Sequence, residues 1–142
     1  FQTFIKDEFL PTIKSKYKGE TGVHIGIDRK TILVRKLGLK RYGDRTDRQN
    51  EVWAGKTVNM AAKLASLSTE NSIVVSDRFY NCLTHDNALL SCPCSDGKRG
   101  DLWGKTEISD DNFDFDIIHK LNSRWCNKHG KEYIEELLKA DK

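Results

Sequence analysis

Nowhere in its 142 residues does the sequence carry an apolar run long enough to span a bilayer, and its opening has no basic-then-apolar leader pattern. These absences predict a cytoplasmic chain with no membrane partner. Internal repeats and low-complexity segments are also lacking, which argues against solenoids and tethers. No strong charge excess exists either. A net charge of +3 is too mild to imply nucleic acid as a partner.

What is present describes a folded domain. A hydrophobic fraction of 37% beside 32% charged residues reads as globular, and the length suits one domain over residues 1–142. Phe4, Ile5, Phe9, Ile13 and Tyr17 recur at near-helical spacing, with Pro11 either kinking that helix or starting a second segment. Val23, Ile25 and Ile27 alternate with Gly22, His24 and Gly26, predicting a half-buried strand in which His24 is structural. Ile32–Val34 is expected to begin a second strand antiparallel to it. Gly55–Ser66 reads as a helix, Ser72–Ser76 as a strand, and the DRFYNCL that follows as a helical turn capped by Ser76 or Asp77. Residues 84–112 hold turn formers with room for one or two short strands. FDFDIIHKL predicts an edge strand, and Tyr133, Ile134, Leu137 and Leu138 share a face of a final helix over Lys131–Ala140. Helices mixed with adjacent antiparallel strands imply an α+β fold with helices packed on one sheet.

Two local concentrations invite chemistry. Lys30, Arg35, Lys36, Lys40, Arg41, Arg45 and Arg48 face only Asp44 and Asp47 between positions 30 and 48. Such an excess makes a solvated loop or a counter-charge for phosphate. The four cysteines are Cys82, Cys92, Cys94 and Cys126. Without a secretory signal they are expected reduced. Cys92, Cys94, Cys126 and His129 together could supply four zinc ligands, although Cys-x-Cys is a less usual spacing than Cys-x-x-Cys. Buried reduced thiols are the expectation.

The stretch GKTVNMAAKLAS carries a sharper choice. Val58, Ala61, Ala62 and Ala65 form one helical stripe, read as core-facing, while Lys56, Asn59, Lys63 and Ser66 form a polar stripe beside it. Small alanines let the helix approach its neighbour closely. Asn59 has poor helix propensity, and with Lys63 one turn on it would offer an anion a neutral and a charged donor. Ordinary solvated polarity is the competing reading.

This run, followed by SIVVSDRFY and preceded by GVHIGID, resembles the second half of a class III nucleotide cyclase catalytic domain from about Phe1 to Leu83. The resemblance implies a ferredoxin-like fold with an antiparallel-rich sheet, here without its N-terminal portion. It implies that Asn59 orients the ribose and that Lys63 stabilises the pentavalent phosphorus, at a place where the family usually has arginine. Lysine keeps the charge and loses the planar fork. Val52 stands where adenylate cyclases hold an acidic base-selecting residue, seven positions before Asn59, and an apolar side chain cannot accept the adenine amino proton. Glu51 and Trp53 flank it; Trp53 either stacks on a base or packs in the core.

The tail SRWCNKHGKEYIEELLKAD is similar to that of the bacterial Pycsar cyclases, which make cyclic UMP or cyclic CMP as an antiviral signal against phage. The implied reaction converts UTP or CTP to its 3′,5′-cyclic monophosphate and pyrophosphate, in a homodimer whose active sites lie at the interface. The expected cofactors are two divalent ions, Mn2+ or Mg2+, held by family aspartates lying upstream of Phe1. Asp28 and Asp44 fall on the wrong elements for that role. The expected site is therefore Asn59 and Lys63 for catalysis, with Glu51, Val52, Trp53 and Arg41 for substrate, no metal ligand within the chain, and no activity from these 142 residues alone. A catalytically inactive nucleotide-sensing or dimerisation module is the rival reading.

Overall fold

The computed structural model describes residues 4–17, 22–37, 50–94 and 97–140, excluding the side chains of Glu8, Lys36, Leu37, Asn50, Glu51, Leu137, Leu138 and Ala140. A π-helical turn, α1 (Ile5–Phe9), runs into the α-helix α2 (Leu10–Lys16), with Pro11 in its first turn. Proline has no N–H to donate and its ring crowds the carbonyl four residues back, so the wider turn precedes it. Both expected outcomes for Pro11 are thus partly met: the ladder changes register and a new segment begins.

The sheet has the order β1-β4-β6-β5, with β1 (His24–Ile27), β4 (Ser72–Ser76), β5 (Trp103–Glu107) and β6 (Ile117–Leu121). β1 runs parallel to β4, and the other neighbours are antiparallel. A separate antiparallel ribbon pairs β2 (Leu33–Leu37) with β3 (Asn50–Ala54). The fold is mixed α+β, consistent with a ferredoxin-like cyclase architecture.

Three expectations need correcting. β2 does not pair with β1; its partner is β3, which leaves β1 to take a parallel neighbour through the crossover helix α3 (Lys56–Leu67). The strand in FDFDIIHKL lies inside the sheet, between β4 and β5, which fits its fully buried Ile118. The last helix, α6 (Asn127–Ala140), starts a turn earlier than the apolar spacing suggested. Two short helices complete the order, α4 (Asp77–Tyr80) and α5 (Asp86–Leu89); the Ser76 side chain caps α4 by accepting from the Phe79 N–H.

Leu64, Val74 and Ile118 are fully covered, and Ile108, Phe113 and Phe115 pack against them. α3 lies on β1 at Gly26, where a Cβ would collide with the backbone of Ala61 and Ala65. Glycine on the strand and alanines on the helix therefore let the two backbones meet. His24 is structural as expected, with Nδ1 3.0 Å from both the carbonyl and the hydroxyl of Ser68. Among the described residues no helix is long and apolar enough to cross a membrane.

Candidate active site

β3 passes into α3 through Gly55, whose φ of 152° suits a residue without Cβ. α3 has no side-chain N-cap, so its first N–H groups are left without an intrahelical partner. The face it buries is Thr57, Met60 and Leu64, not the stripe read from the sequence. Val58 is 40% exposed and Ala62 is exposed as well, while Ala61 and Ala65 are half-buried against β1. Helical periodicity allows adjacent stripes to be exchanged by a small rotation; here Ala61 and Ala65 stay against β1 at Gly26 while Val58 and Ala62 turn outward.

That rotation still leaves Asn59 and Lys63 on the outward side, one turn apart. Asn59 is exposed and its side chain makes no hydrogen bond among the described residues. Lys63 is half-buried; its ammonium donates to the Asn112 carbonyl at 2.7 Å and sits 6.0 Å from the centre of the Phe113 ring. The Asn112 backbone and side-chain N–H groups hold the Asp110 carboxyl below the usual carboxylate range, and the nearby Lys63 charge adds to this. Lys63 thus lies against the 110–113 turn, a contact the sequence did not suggest.

The expected substrate residues sit on the ribbon. Trp53 is 57% and Val52 42% exposed, which removes the core alternative for Trp53. As neighbours along β3 they point to opposite faces. Glu51 lies on β3 opposite Lys36, with its side chain outside the described set. Arg41 and Asp44, like most of the basic loop, lie outside the described residues. The structure therefore gathers Asn59 and Lys63 on one helix face and presents Val52 and Trp53 on the preceding strand, with no hydrogen bond joining the two groups among the described residues.

Sequence reasoning missed a charge network next to the Lys63 turn. The Asp28 side chain is fully covered and accepts from the Ser76 hydroxyl at 2.7 Å and from Arg78 Nε at 2.6 Å, with a second Arg78 nitrogen on its other oxygen. Arg78 also meets Asp114 at 3.0 Å, and Lys30 meets Asp114 at 2.9 Å. Burial pulls the Asp28 carboxyl up, but the hydrogen bonds from Arg78, Ser76 and the Arg29 N–H outweigh it and hold it below the ordinary range. Arg29, Lys30, Thr31 and Arg78 line an open basic hollow beside this network. The motif SDR after β4 was the available signal for Arg78, but its partner is remote in sequence.

Asp28 is committed to Arg78, Asp77 to His119 at 2.8 Å, and Asp114 to Lys30 and Arg78. These carboxylates do not fit a site for two divalent ions.

No family model matches the chain. It is 32% identical over 147 residues to the uridylate cyclase of Micromonospora echinofusca, an alignment covering 99% of this chain and 46% of that protein. It is 30% identical over 143 residues to the uridylate cyclase of Propioniciclava tarda, covering 96% of the chain and 44% of the relative. The chain is therefore related to nucleotide cyclases. Within them, its relationship is to the pyrimidine nucleotide cyclases. It spans about half the length of the curated relatives it matches.

Proposed function

We propose that the protein containing this chain is a pyrimidine nucleotide cyclase that converts UTP to 3′,5′-cyclic UMP and pyrophosphate. The observation carrying this reading is the likeness, over nearly the whole chain, to two proteins named uridylate cyclase. The apolar Val52, seven positions before Asn59, supports it by offering no acceptor for an adenine amino group. CTP is the competing pyrimidine substrate. The cyclic nucleotide would serve as a cytoplasmic second messenger in antiviral defence.

The 3′-oxygen attacks the α-phosphorus as its proton is lost, a new O–P bond forms, and the bond to the β-phosphate oxygen breaks. Two divalent ions, Mn2+ or Mg2+, held by residues outside this chain, would supply Lewis-acid stabilisation to that displacement. Asn59 donates its amide to the ribose and fixes its orientation, which raises the fraction of substrate in an in-line pose. Lys63 supplies positive charge to the phosphoryl oxygens as the fifth P–O contact forms. Both act across a homodimer interface on substrate held by the partner copy. Leu33, Val34, Val52, Trp53 and Val58 support that assembly, because this much exposed large apolar surface on and beside one ribbon favours burial against another chain. Val52 faces the base, with Glu51 and Arg41 as further substrate contacts, and Trp53, on the opposite face of the ribbon, is left to the interface.

The contact of Lys63 with Asn112 favours the other reading, a nucleotide-sensing or dimerisation module without turnover. Incubating the complete protein with each of the four ribonucleoside triphosphates and Mn2+ separates them. Cyclic UMP as the dominant product is expected. Absence of any cyclic product from a dimeric, nucleotide-binding protein would leave the module.

A further inference from the structure

Cys92, Cys94, Cys126 and His129 come together although they lie on two segments more than thirty residues apart, and their ligand atoms all fall within 4.8 Å of one another. The expectation of buried thiols is thereby corrected: Cys92 is buried, but Cys94 and Cys82 are exposed and Cys126 is half-buried. Cys94 Sγ and Cys126 Sγ are 3.6 Å apart, and His129 Nδ1 lies 3.0 Å from the first and 3.2 Å from the second. A tetrahedron with metal–sulfur bonds of about 2.3 Å and a metal–nitrogen bond of about 2.0 Å has sulfur–nitrogen edges of roughly 3.5 Å and sulfur–sulfur edges of roughly 3.8 Å. The sulfur–sulfur separation is near its edge and the two sulfur–nitrogen separations are about 0.3–0.5 Å shorter than theirs, so side-chain movements on the order of an ångström would close the shell.

We propose that these four side chains bind one structural zinc ion, in a Cys3His site that ties the loop after α5 to the first turn of α6. Three thiols and one imidazole are the donor set of closed structural zinc sites, with no position left for substrate water. The backbone is arranged for it. Pro93 separates Cys92 from Cys94, and the Gly97 N–H returns to the Pro93 carbonyl at 3.1 Å, which turns the Cys-x-Cys segment back on itself. Cys126 is at the head of α6, where its carbonyl accepts from the Gly130 N–H at 2.9 Å, so His129 projects from the next turn of the same face.

The surroundings also orient the ligands. The Cys126 N–H donates to Cys92 Sγ at 3.2 Å and the His129 N–H to Cys126 Sγ at 3.5 Å, bonds that stabilise sulfur carrying negative charge. With Nδ1 turned to the sulfurs, His129 Nε2 lies 4.0 Å from a Glu132 carboxylate oxygen one turn on, close enough for a rotamer change to bring that carboxylate to the imidazole N–H. Trp125, next to the cluster, donates from Nε1 to the Leu90 carbonyl at 2.9 Å, clamping the same two segments from the other side. The site uses none of the residues assigned to catalysis or substrate.

The test is metal analysis of the complete protein, purified without chelator and with any affinity tag removed. About one zinc per chain is expected. Cys126→Ser and His129→Ala should lose it, whereas Cys82→Ser, whose thiol lies by Arg29, should retain it. Because the two ligand variants could fail to fold, the parent protein is also reconstituted with Co2+. Intense thiolate-to-cobalt absorption with tetrahedral d–d bands is expected, bleached by added Zn2+ and unaffected by Mg2+. A parent protein with no zinc, in which Cys92, Cys94 and Cys126 are all freely alkylated as read by peptide mass analysis, would overturn the proposal. So would a Cys94–Cys126 disulfide found by mass analysis of protein purified under reducing conditions.

Discussion

The ammonium of Lys63 donates to the backbone carbonyl of Asn112 at 2.7 Å, so the cation proposed to meet a phosphoryl group rests on this chain's own 110–113 turn. A neutral carbonyl is a weaker partner than a phosphate oxygen. Lys63→Arg is expected to keep or improve turnover, since a planar fork can hold Asn112 and a phosphate oxygen together. Lys63→Met keeps aliphatic bulk and deletes the charge, and turnover should fall about 10²-fold with little change in melting temperature. Turnover is compared at equal dimer fraction. A Met variant as active as its parent would return Lys63 to a purely structural contact.

Asn59 presents the cleaner case, because its side chain is exposed and without a hydrogen bond among the described residues. Asn59→Ala removes no packing and improves helix propensity, so the fold should be unchanged or stabilised by up to about 0.5 kcal/mol. Cyclic nucleotide formation by the complete protein should drop about 10²-fold, read in kcat more than in KM. Unchanged kcat would remove Asn59 from the reaction.

Gly26 is the place where a single carbon should be felt most. Gly26→Ala would drive a methyl group into the Ala61 and Ala65 backbone, and helix backbone cannot rotate away as a side chain can. Destabilisation of about 1–3 kcal/mol is expected in denaturant melts. Turnover should also fall, because α3 carries Asn59 and Lys63. A variant as stable as the parent would show that α3 does not lie this close to β1.

The Asp28–Arg78 pair gives a pH dependence with a defined sign. The Asp28 carboxyl is held below its ordinary value, so its contribution is present above about pH 4 and is lost as pH falls through the lowered folded-state value. Arg78→Met leaves that carboxylate covered without its cation and should cost about 3 kcal/mol near pH 7. Burial then raises the Asp28 pKa in the variant, so protonation relieves it. The stability gap between parent and variant should narrow as pH is lowered from 7 towards about 4, measured by denaturant melts at each pH. A gap independent of pH would mean that Asp28 is not what Arg78 supports.

Much of the local structure was legible. A β-branched run marked β4, and alternation marked β1 about Gly26 and β6 in FDFDIIHKL, because strand periodicity is written in neighbouring residues. The β3 strand was missed, since Asn50–Ala54 is short and offers no clean alternation. Pairing was less accessible. Ile32–Val34 could join any strand brought beside it, and a nearby partner after a turn is the simplest choice in sequence. The fold chose β3 for it instead and gave β1 a parallel neighbour.

By itself the sequence determined where most of the helices and strands form, β3 excepted, that Asn59 and Lys63 share one helical face, and that an apolar Val52 precedes them at a fixed distance, because each of these depends only on spacing along the chain. It also supplied the kinship to pyrimidine nucleotide cyclases, which rests on residue identity and order. Only the tertiary structure decided how α3 is rotated on the sheet: Thr57, Met60 and Leu64 are buried, Ala61 and Ala65 meet β1 at Gly26, and Val58 and Ala62 are left exposed. It alone brought Lys63 to Asn112, Asp28 to Arg78, and Cys92 and Cys94 to Cys126 and His129. Those pairs lie tens of residues apart, and the chain between them is compatible with many closures; the buried core selects one.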